Sequence, residues 1–376
     1  MDTRMLLTCA LVLGLLATVP LSSGRGGPPR TLDARDLGAV GDGRTDDTDA
    51  LTAALAGLRP GDVLVLPPGD YRHRDVLVVA VAGVTVRGEG ATLTALDEER
   101  SALRIAADDV AVEGLTLGVA ATTRRHTGAD QHRLHVLDAH RVLLRGITVT
   151  GSAAAGIMVE NSTGVIVDRP VVRDTRADGV HVTGTSARVR VLAPRVSGTG
   201  DDAVAVVSYD DAATPVTDVE VRSPVVDGTT HGRGLSVVGG RSVRFEDVTV
   251  RGTAGAGIYV AVEGDPYFTH DVDGVRVSGG TVTDANLDDR VDHGAVLVFS
   301  GRPGRSVSDV VLRDLRVSGT RADASRQVGL YRDDGGEIDG VELGGIVVDT
   351  DGGPTGLGTN LPADRYRIDG GTLAGP

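Results

Sequence analysis

The chain has 376 residues, including 53 glycines, a single cysteine and no tryptophan, and its formal net charge is −14. Such an acidic chain is a poor partner for nucleic acid or for an anionic membrane. All 38 basic residues are arginine, and segments with helical periodicity are scarce. This composition favours a glycine-rich all-β protein.

The first 24 residues have the pattern of a secretory signal peptide. Met1–Arg4 precedes the apolar run Met5–Leu21, and small residues follow. The run is short for a membrane-spanning helix and contains Pro20, so we prefer a cleaved signal to a membrane anchor. The only cysteine, Cys9, lies in this run, which predicts a secreted, extracellular protein without disulfides.

We interpret residues 25–31 as a linker and residues 32–376 as a single domain, whose first part, 32–75, forms an N-terminal cap and the first strands. Asp46, Asp47 and Thr48 suit the start of a helix. An amphipathic stretch, Ala50–Leu58, follows them and could cover the open apolar end of a repetitive core.

The middle of the chain repeats one eight-residue phrase: apolar-x-apolar, with another apolar residue seven positions after the first. Side chains of a strand alternate between its faces, so each phrase predicts a short strand followed by the same bend. Repeats of this length without helices indicate a parallel β-helix, here of about ten coils with a capping helix. The pairs are Val110/Leu117, Val142/Val149, Val165/Val172, Val189/Val196, Val219/Val226, Val243/Val250, Val275/Val282, Val310/Val317 and Val341/Val348, and a weaker copy spans Val84–Leu93.

Three long connections should stand up beside the column of first strands. The stretch leading to the first strand of each coil has a nearly constant length, whereas the connection after that strand varies. A column of strands flanked by raised loops forms a groove, which can hold a linear polymer. The long connections are Ser208–Thr217, Val262–Asp273 and Phe299–Ser308.

The constant turns align one residue of each coil just before the first strand, at a spacing of about 4.8 Å. Two successive coils place Asp178 and Asp202 side by side, with Asp201 adjacent. Like charges this close do not all stay ionised, so one carboxyl should have a raised pKa. A protonated acid beside an ionised base can cleave a glycosidic bond. The aligned residues are Ala155, Asp178, Asp202, Arg233, Ala256 and His293, with His231 as an alternative to Arg233 because that turn is one residue longer.

Other interpretations of these residues stay open. Aspartates in β-helix turns often accept local hydrogen bonds, and clustered carboxylates also suit calcium. A loop with His126, His132 and His135 offers an alternative zinc site. The predicted substrate-binding residues, which share the column or lie at the loop bases, are His181, Tyr209, His231, Arg233, Tyr259, Glu263 and His293.

The N-terminal region resembles the signature of the pectate-lyase-like superfamily of right-handed parallel β-helices. The matching segments are Gly38-Ala39-Val40-Gly41-Asp42-Gly43, Asp46-Asp47-Thr48 and Leu66-Pro67-Pro68-Gly69-Asp70-Tyr71. That superfamily includes polygalacturonases, polysaccharide lyases and phage tailspike depolymerases. The resemblance implies the fold of the whole domain and leaves the reaction open.

Three further segments resemble motifs of the polygalacturonases, the hydrolases of pectin. Gly200-Asp201-Asp202 matches their Gly-Asp-Asp, while Arg176-Ala177-Asp178-Gly179 and His231-Gly232-Arg233-Gly234 match Asn-Thr-Asp-Gly and Gly-His-Gly in part. The resemblance implies that Asp201 is the general acid and that Asp178 and Asp202 activate water in an inverting reaction. The Arg-Ile-Lys motif that binds the substrate carboxylate falls on residues 257–261, where both charges are missing. A different or neutral sugar is therefore an alternative substrate.

We predict a secreted glycoside hydrolase of the polygalacturonase-like type that needs no cofactor and acts on an extracellular polysaccharide or oligosaccharide. One alternative is a polysaccharide lyase, in which a base abstracts a proton and calcium or arginine neutralises the uronate. The other is a non-catalytic glycan-binding or adhesion module, although a pure binding groove gains nothing from clustering like charges. The sequence gives no indication of oligomeric state.

Overall fold

The computed structural model describes residues 28–349 and 353–373, so the predicted signal peptide, residues 1–24, lies outside the described residues. The described part is almost entirely strand, with one α-helix, α1 (Thr48–Ala56), and one 3₁₀ turn (Glu98–Arg100). The predicted all-β class is confirmed.

Strands of three to thirteen residues follow one another along the whole described chain. The first sixteen are β1 (Thr31–Asp33), β2 (Asp42–Asp46), β3 (Val63–Val65), β4 (Gly69–His73), β5 (Leu77–Val79), β6 (Thr85–Arg87), β7 (Ala91–Ala95), β8 (Leu103–Ile105), β9 (Ala111–Glu113), β10 (Thr116–Val119), β11 (Leu134–Leu137), β12 (Leu143–Arg145), β13 (Thr148–Ser152), β14 (Ile157–Glu160), β15 (Ile166–Asp168) and β16 (Val171–Thr175). The others are β17 (Val180–Thr183), β18 (Ala187–Leu192), β19 (Arg195–Thr199), β20 (Val204–Val207), β21 (Thr217–Arg222), β22 (Val225–Thr229), β23 (Leu235–Val238), β24 (Gly240–Arg251), β25 (Ile258–Val262), β26 (Val272–Thr283), β27 (Val296–Ser300), β28 (Ser306–Ser318), β29 (Arg326–Arg332), β30 (Glu337–Val348), β31 (Thr355–Thr359) and β32 (Tyr366–Gly371).

Two sheets wrap around the core. Eleven described strands, one per coil, stack in parallel in a sheet that we call the groove sheet: β5, β8, β11, β14, β17, β20, β23, β25, β27, β29 and β31. The remaining 21 form the second sheet, and from β24 onward one long bent strand covers the two sides that earlier coils build from two strands. This stacking is that of a parallel β-helix, as the repeated phrase predicted.

The repeated apolar pairs form the core. Both residues of each predicted pair are buried, and successive pairs lie in register, for example Val219 beside Val243 and Val226 beside Val250. Burying one valine side chain contributes about 1.5–3 kcal/mol, and every coil repeats that gain.

The bend within each phrase is also built the same way each time. The residue four positions after the first valine has a positive φ in all nine phrases, whether or not it is glycine. These residues are Gly114, Gly146, Arg169, Ala193, Ser223, Asp247, Gly279, Asp314 and Gly345. The left-handed backbone turns the chain sharply enough for the apolar side chains on both sides of the bend to face inward.

The helix α1 forms where an amphipathic stretch was predicted, and Leu51 and Leu55 are buried in the core. Asp47 precedes the helix, but its carboxylate makes no capping hydrogen bond. It instead accepts hydrogen bonds from the backbone N–H groups of Val40 and Gly41, at 2.6 and 3.1 Å. Asp47 therefore fixes the glycine-rich turn of the N-terminal signature.

Tyr71 explains another part of the signature. Its ring is fully buried, its hydroxyl donates to the carbonyl of Pro67 at 2.8 Å, and the ring packs directly on Gly41. A Cβ at Gly41 would lie 2.6 Å from Tyr71 Cε1, so no other residue fits there.

The predicted linker ends too late. Thr31 already pairs with Val63 in the second sheet, and Arg30 forms an ion pair with the buried Asp62. Arg30 and Thr31, which the prediction assigned to the linker, therefore belong to the folded domain.

Gly41→Ala tests the packing of this signature. The new methyl group must displace the Tyr71 ring and also sits at a φ of +66°, so we expect a loss of roughly 3 kcal/mol in the free energy of unfolding. Gly146→Ala is the matched control: its φ is +59°, but nothing lies within 4 Å of its Cβ position, so it should lose only about 1 kcal/mol. Equal losses in urea unfolding of the two variants would contradict the packing argument.

Candidate functional site

Strand register brings the predicted column together. Val180 pairs with Val204 and Val204 with Leu235, so Asp178, Asp202 and Arg233 occupy equivalent positions in three successive coils. The backbone N–H of Gly179 donates to the carbonyl of Asp202 in the next coil, which fixes the turns themselves side by side. Asp178 and Asp202 therefore stack on each other, as the constant length of the turns predicted.

Asp178, Asp201 and Asp202 form one cluster, which we call the carboxylate cluster. One oxygen of each lies within 4.8 Å of the others. Asp178 and Asp202 are buried, whereas the Asp201 side chain is 24% exposed. At such separations in a partly dry site the three groups cannot titrate independently.

His181 determines the charge of Asp178. It follows Asp178 by three residues, lies on the outer face of β17, and places Nδ1 2.8 Å from Asp178 Oδ2. Burial would raise the pKa of Asp178, but the charge and the hydrogen bond of His181 lower it below its usual value. Burial opposes the imidazolium, yet the carboxylate raises the pKa of His181. The two groups form a buried ion pair.

Asp202 is the carboxyl with a raised pKa. Burial is the main cause, the like charges of Asp201 and Asp178 add to it, and the nearby Arg233 opposes it; the result is a pKa of about 7. Both oxygens are held: Oδ1 accepts from the backbone N–H of Arg233 at 2.7 Å, and Oδ2 accepts from the hydroxyl of Ser236. Near neutral pH the Asp202 carboxyl therefore gains or loses a proton.

Asp201 points toward the groove and is paired with Arg125. Nη1 of Arg125 lies 2.6 Å from Oδ2 of Asp201. Arg125 comes from the long loop between β10 and β11, 76 residues earlier in the chain. Sequence analysis did not identify Arg125, because that loop has no repeat that could assign it to a position over the column.

Arg233 takes the column position, and its side chain is held by contacts within the protein. Its guanidinium faces Asp202 at 3.2 Å and Glu263 at 3.5 Å and lies over the ring of Tyr259, 4.4 Å from the centroid. The Tyr259 hydroxyl donates to Glu263 at 3.0 Å. Arg233 is thus a fixed positioning residue, and its charge favours the ionised form of Asp202.

Three of the predicted substrate-binding residues are engaged in contacts within the protein. Tyr259 is 5% exposed, and its ring is covered by Arg233 from the preceding coil and by His293 from the next, at a ring separation of 5.5 Å. Glu263 is engaged with Arg233 and Tyr259, and Arg233 itself is held as described. These three side chains form a packed support for Asp202, because their aromatic, acidic and basic groups satisfy one another.

Two histidines also differ from the prediction. His231 is exposed and outside the column, since Arg233 is the residue two positions before Leu235. His293 is one position out of register, because Ile258 pairs with Val296 and not with Ala295. Burial lowers the pKa of His293 to about 4, so its imidazole is neutral near pH 7.

The zinc alternative is not supported. His132 and His135 are buried with rings 5.3 Å apart, but His135 pairs with Glu160 at 3.0 Å and His126 lies beside Glu98. Across residues 28–349 and 353–373, the carboxylate cluster is the one group of three or more acidic, histidine or cysteine side chains close enough to share a metal ion.

The three predicted long connections lie beside the groove sheet as the loops 208–216, 263–271 and 301–305, which we call the wall loops. Tyr209 pairs with Thr269 in an antiparallel bridge, and Arg302 forms an ion pair with Asp210 while lying over Phe268. The third loop is shorter than predicted because β27 and β28 extend into it. The loops therefore brace one another beside the groove sheet.

The floor of the groove is a second apolar cluster, separate from the core. It lies on the outer face of the groove sheet and consists of Ala205, Val207, Val238, Ala256, Tyr259, Ala261 and Leu297, with Tyr209, Phe299 and Tyr331 packed against it. Burial raises the pKa of Tyr209 to about 12, so its phenol stays protonated. An apolar floor with aromatic edges beside acidic groups suits a sugar chain, which has both apolar and hydroxyl faces.

A family model described as "Rhamnogalacturonase A/epimerase, pectate lyase-like" matches residues 31–203, which include the N-terminal signature and the carboxylate cluster. The predicted resemblance to the pectate-lyase-like right-handed parallel β-helices is confirmed. No curated protein matches the sequence.

Several solved structures share the fold. The catalytic unit of a GH87 α-1,3-glucanase from Streptomyces thermodiastaticus is 19% identical with a TM-score of 0.62, over 95% of this chain and 70% of that one. The A-module of the mannuronan C-5 epimerase AlgE4 from Azotobacter vinelandii is 14% identical, with a TM-score of 0.59 over 90% and 100%. PfbA, a surface adhesin of Streptococcus pneumoniae, is 14% identical, with a TM-score of 0.57 over 91% of both chains.

These similarities establish the fold but not the reaction, because a hydrolase, an epimerase and an adhesin share this fold. The reaction must therefore be inferred from the site. No helix in the described ranges is long and apolar enough to cross a membrane.

The cationic neighbours of the carboxylate cluster lead to a prediction about calcium. His181, Arg125 and Arg233 already balance the three carboxylates. We therefore expect chelator or millimolar calcium to shift the unfolding temperature by no more than about 1 °C, because a ligand that does not bind does not stabilise. A rise of several degrees in calcium that is lost in Asp201→Asn would instead identify a calcium site.

Proposed function

We propose that this protein is a secreted glycoside hydrolase that cleaves an extracellular polysaccharide, with Asp178, Asp201 and Asp202 as its catalytic residues. The observation that carries the proposal is that two adjacent coils place one carboxyl oxygen from each of three aspartates within 4.8 Å of the others, beside a groove. Burial and the like charges raise the pKa of Asp202 to about 7. Secretion rests on the sequence pattern of residues 1–24. The glucanase relative, an enzyme of this fold named for hydrolysing a glucan, supports a polysaccharide substrate.

The three carboxyls have different roles in this proposal. Asp201 is the most exposed, so it donates a proton to the glycosidic oxygen as the bond from that oxygen to the anomeric carbon breaks. Water attacks the anomeric carbon, and Asp178, ionised beside His181, accepts the proton that the water releases. Asp202 holds the proton of the resting cluster and passes it to Asp201 before the bond breaks. The proton that Asp178 takes from water then moves to Asp202, which restores the resting cluster.

Arg125 must leave Asp201 before Asp201 can donate a proton, because a carboxyl paired with a guanidinium is ionised. The Arg125 side chain is 49% exposed and carried by a loop, so an incoming sugar chain can displace it. In this mechanism substrate binding therefore uncovers the acid.

The inverting outcome stays a prediction from the resemblance. Carboxyls about 6.5–9.5 Å apart leave room for an inverting water, and a separation of about 5–5.5 Å suits a retaining nucleophile. The nearest oxygens of this cluster lie within 4.8 Å, so the separation rule does not select inversion. The anomer that is formed first, followed by NMR, decides between the two.

The lyase alternative has less support. It needs a basic side chain and a free cation facing the substrate, but Tyr259 and Arg233 are packed against each other. Burial and the adjacent Glu263 hold the pKa of Tyr259 well above its usual value, so it is a poor base. PfbA, an adhesin of similar fold, supports an adhesion role. Adhesion does not, however, account for the clustering of three carboxylates.

Digestion of a polysaccharide panel tests the hydrolase. We expect new reducing ends without the ultraviolet absorbance of unsaturated sugars, insensitive to chelator. Asp201→Asn should lower the rate by roughly 10²–10⁴-fold, the contribution of a positioned general acid. Asp211→Asn, which changes an exposed aspartate of the wall loops, is the matched control and should retain activity. Chelator-sensitive absorbance would show a lyase, and full activity in Asp201→Asn would overturn the acid assignment.

Arg125→Gln tests how the cluster holds its proton. Wild-type activity should fall as pH rises through about 7, where Asp202 loses its proton. Arg125 compensates the charge of Asp201, and that charge raises the pKa of Asp202. Removing Arg125 should therefore move the alkaline limb of kcat/KM, which reports the free enzyme, upward by about one pH unit. Arg124→Gln, in the same loop but paired with Glu99, should leave the limb in place. Equal shifts in the two variants would contradict this account.

A further inference from the structure

An open cavity of about 370 Å³ lies on the groove sheet beyond the carboxylate cluster; we call it the distal cavity. Its lining begins at Tyr259, which packs against Arg233, and at His293, which stacks on Tyr259, and continues to Leu297, Phe299 and Tyr331. The coil of Leu297 is three coils after that of Asp202, or about 14 Å along the groove. The cavity is therefore one surface with the candidate catalytic site.

Two glycines, which have no side chain, leave room for neighbouring side chains in this part of the groove. Leu297, Gly329 and Gly358 occupy one outward row of the groove sheet. A Cβ at Gly358 would lie 2.5 Å from the Tyr331 hydroxyl, and one at Gly329 would lie 3.0 Å from Arg326 Cδ. Tyr331 and Arg326 therefore lie down on the sheet, with the guanidinium 4.3 Å from the ring centroid. An aromatic group is thus fixed low in the groove.

The charges that line the distal cavity are already paired. Arg326 holds Asp292 at 3.0 Å, and Arg332 holds Glu337 at 2.8 Å. The pKa of His293 is lowered to about 4 by burial, so it adds no charge near neutral pH. Each arginine that lines the described cavity already faces a carboxylate, so an acidic sugar would have to displace an internal partner, whereas a neutral ring would not.

The side chains that line the distal cavity combine apolar surfaces with polar groups. Tyr331, Asn360 and Asp333 place a hydroxyl, an amide and a carboxylate beside Leu297 and Phe299. Sugar hydroxyls both donate and accept hydrogen bonds, so they match these polar groups while the apolar floor and the aromatic edges contact the sugar ring.

We propose that the distal cavity is a binding subsite for a neutral sugar ring of the same polysaccharide whose bond is cleaved at the carboxylate cluster. The inference rests on the proposed function for the identity of the polymer and adds its class: uncharged at a position about 14–19 Å from the scissile bond, where the coils of Leu297 and Tyr331 lie. Tyr331 is its main contact, and the pairing of both arginines with carboxylates sets its selectivity against uronates.

Calorimetric binding of hexasaccharides tests the proposal without requiring cleavage. The probes are neutral gluco-, galacto- and manno-oligosaccharides and, at the same length, galacturonate and mannuronate oligosaccharides. The protein is the full chain carrying Asp201→Asn together with Arg125→Gln, because Asp201→Asn alone would leave Arg125 as an unpaired cation in the groove. We expect a neutral hexasaccharide to bind more tightly than either uronate and to keep its affinity between 0.05 and 0.5 M salt, about the range over which exposed ion pairs are screened.

Tyr331→Ala should weaken that binding about tenfold, and Tyr331→Phe, which keeps the ring, should change it less than about threefold. Phe299→Ala, on the same edge of the cavity, is a second loss variant should Tyr331→Ala fold poorly. Preferential, salt-sensitive binding of a uronate, failure of every neutral probe, or unchanged binding in both loss variants would overturn the proposal.

The two proposals fail in different ways. If wild-type protein cleaves nothing but the neutral probe binds with the expected variant pattern, the hydrolase proposal fails and the subsite stands. If cleavage proceeds and both loss variants bind and cleave like their parents, the subsite fails and the hydrolase stands.

Discussion

The parallel register of the coils is the constraint on which the rest of the structure depends. Each coil must pair with its neighbours over the whole length of its strands, because an unpaired buried backbone group would be destabilising. A residue fixed at one place in one coil is therefore fixed beside its equivalent in the next. Asp178 and Asp202 are 24 residues apart in sequence and adjacent in space for this reason alone. A rigid scaffold of this kind can hold groups together that repel one another.

Repulsion within the carboxylate cluster is managed by charges of opposite sign, each supplied in a different way. His181 comes from the strand that follows Asp178, and Arg233 comes from the next coil. Arg125 comes from a distant loop and is the most exposed of the three. The two buried partners are fixed parts of the site, whereas in the proposed mechanism Arg125 is displaced by substrate. The burial of Asp202 and the like charges of Asp201 and Asp178 raise the pKa of Asp202 to about 7.

The repetitive part of the molecule could be predicted from the sequence. Valine spacing identified the strands, the bend and the stacking of Asp178 on Asp202, because solenoid register is a local and periodic property. Arg125 could not be found, since it reaches the cluster from a loop without a repeat. The position of His293 was wrong by one residue, because Gly294 and Ala295 in that turn gave no signal of the shifted pairing. Tyr259 was assigned to substrate, but its aromatic faces proved to be covered by Arg233 and His293, a contact between coils that spacing alone does not reveal.

The central claim is that the carboxylate cluster adds water across a glycosidic bond. Mass spectrometry of the products from a defined oligosaccharide in ¹⁸O-labelled water measures this directly. The account predicts that the product masses sum to the substrate plus one labelled water, with the label on the newly formed reducing end from the first turnover, and that Asp201→Asn abolishes this product. Products whose masses sum to the substrate alone, one of them unsaturated, would contradict it.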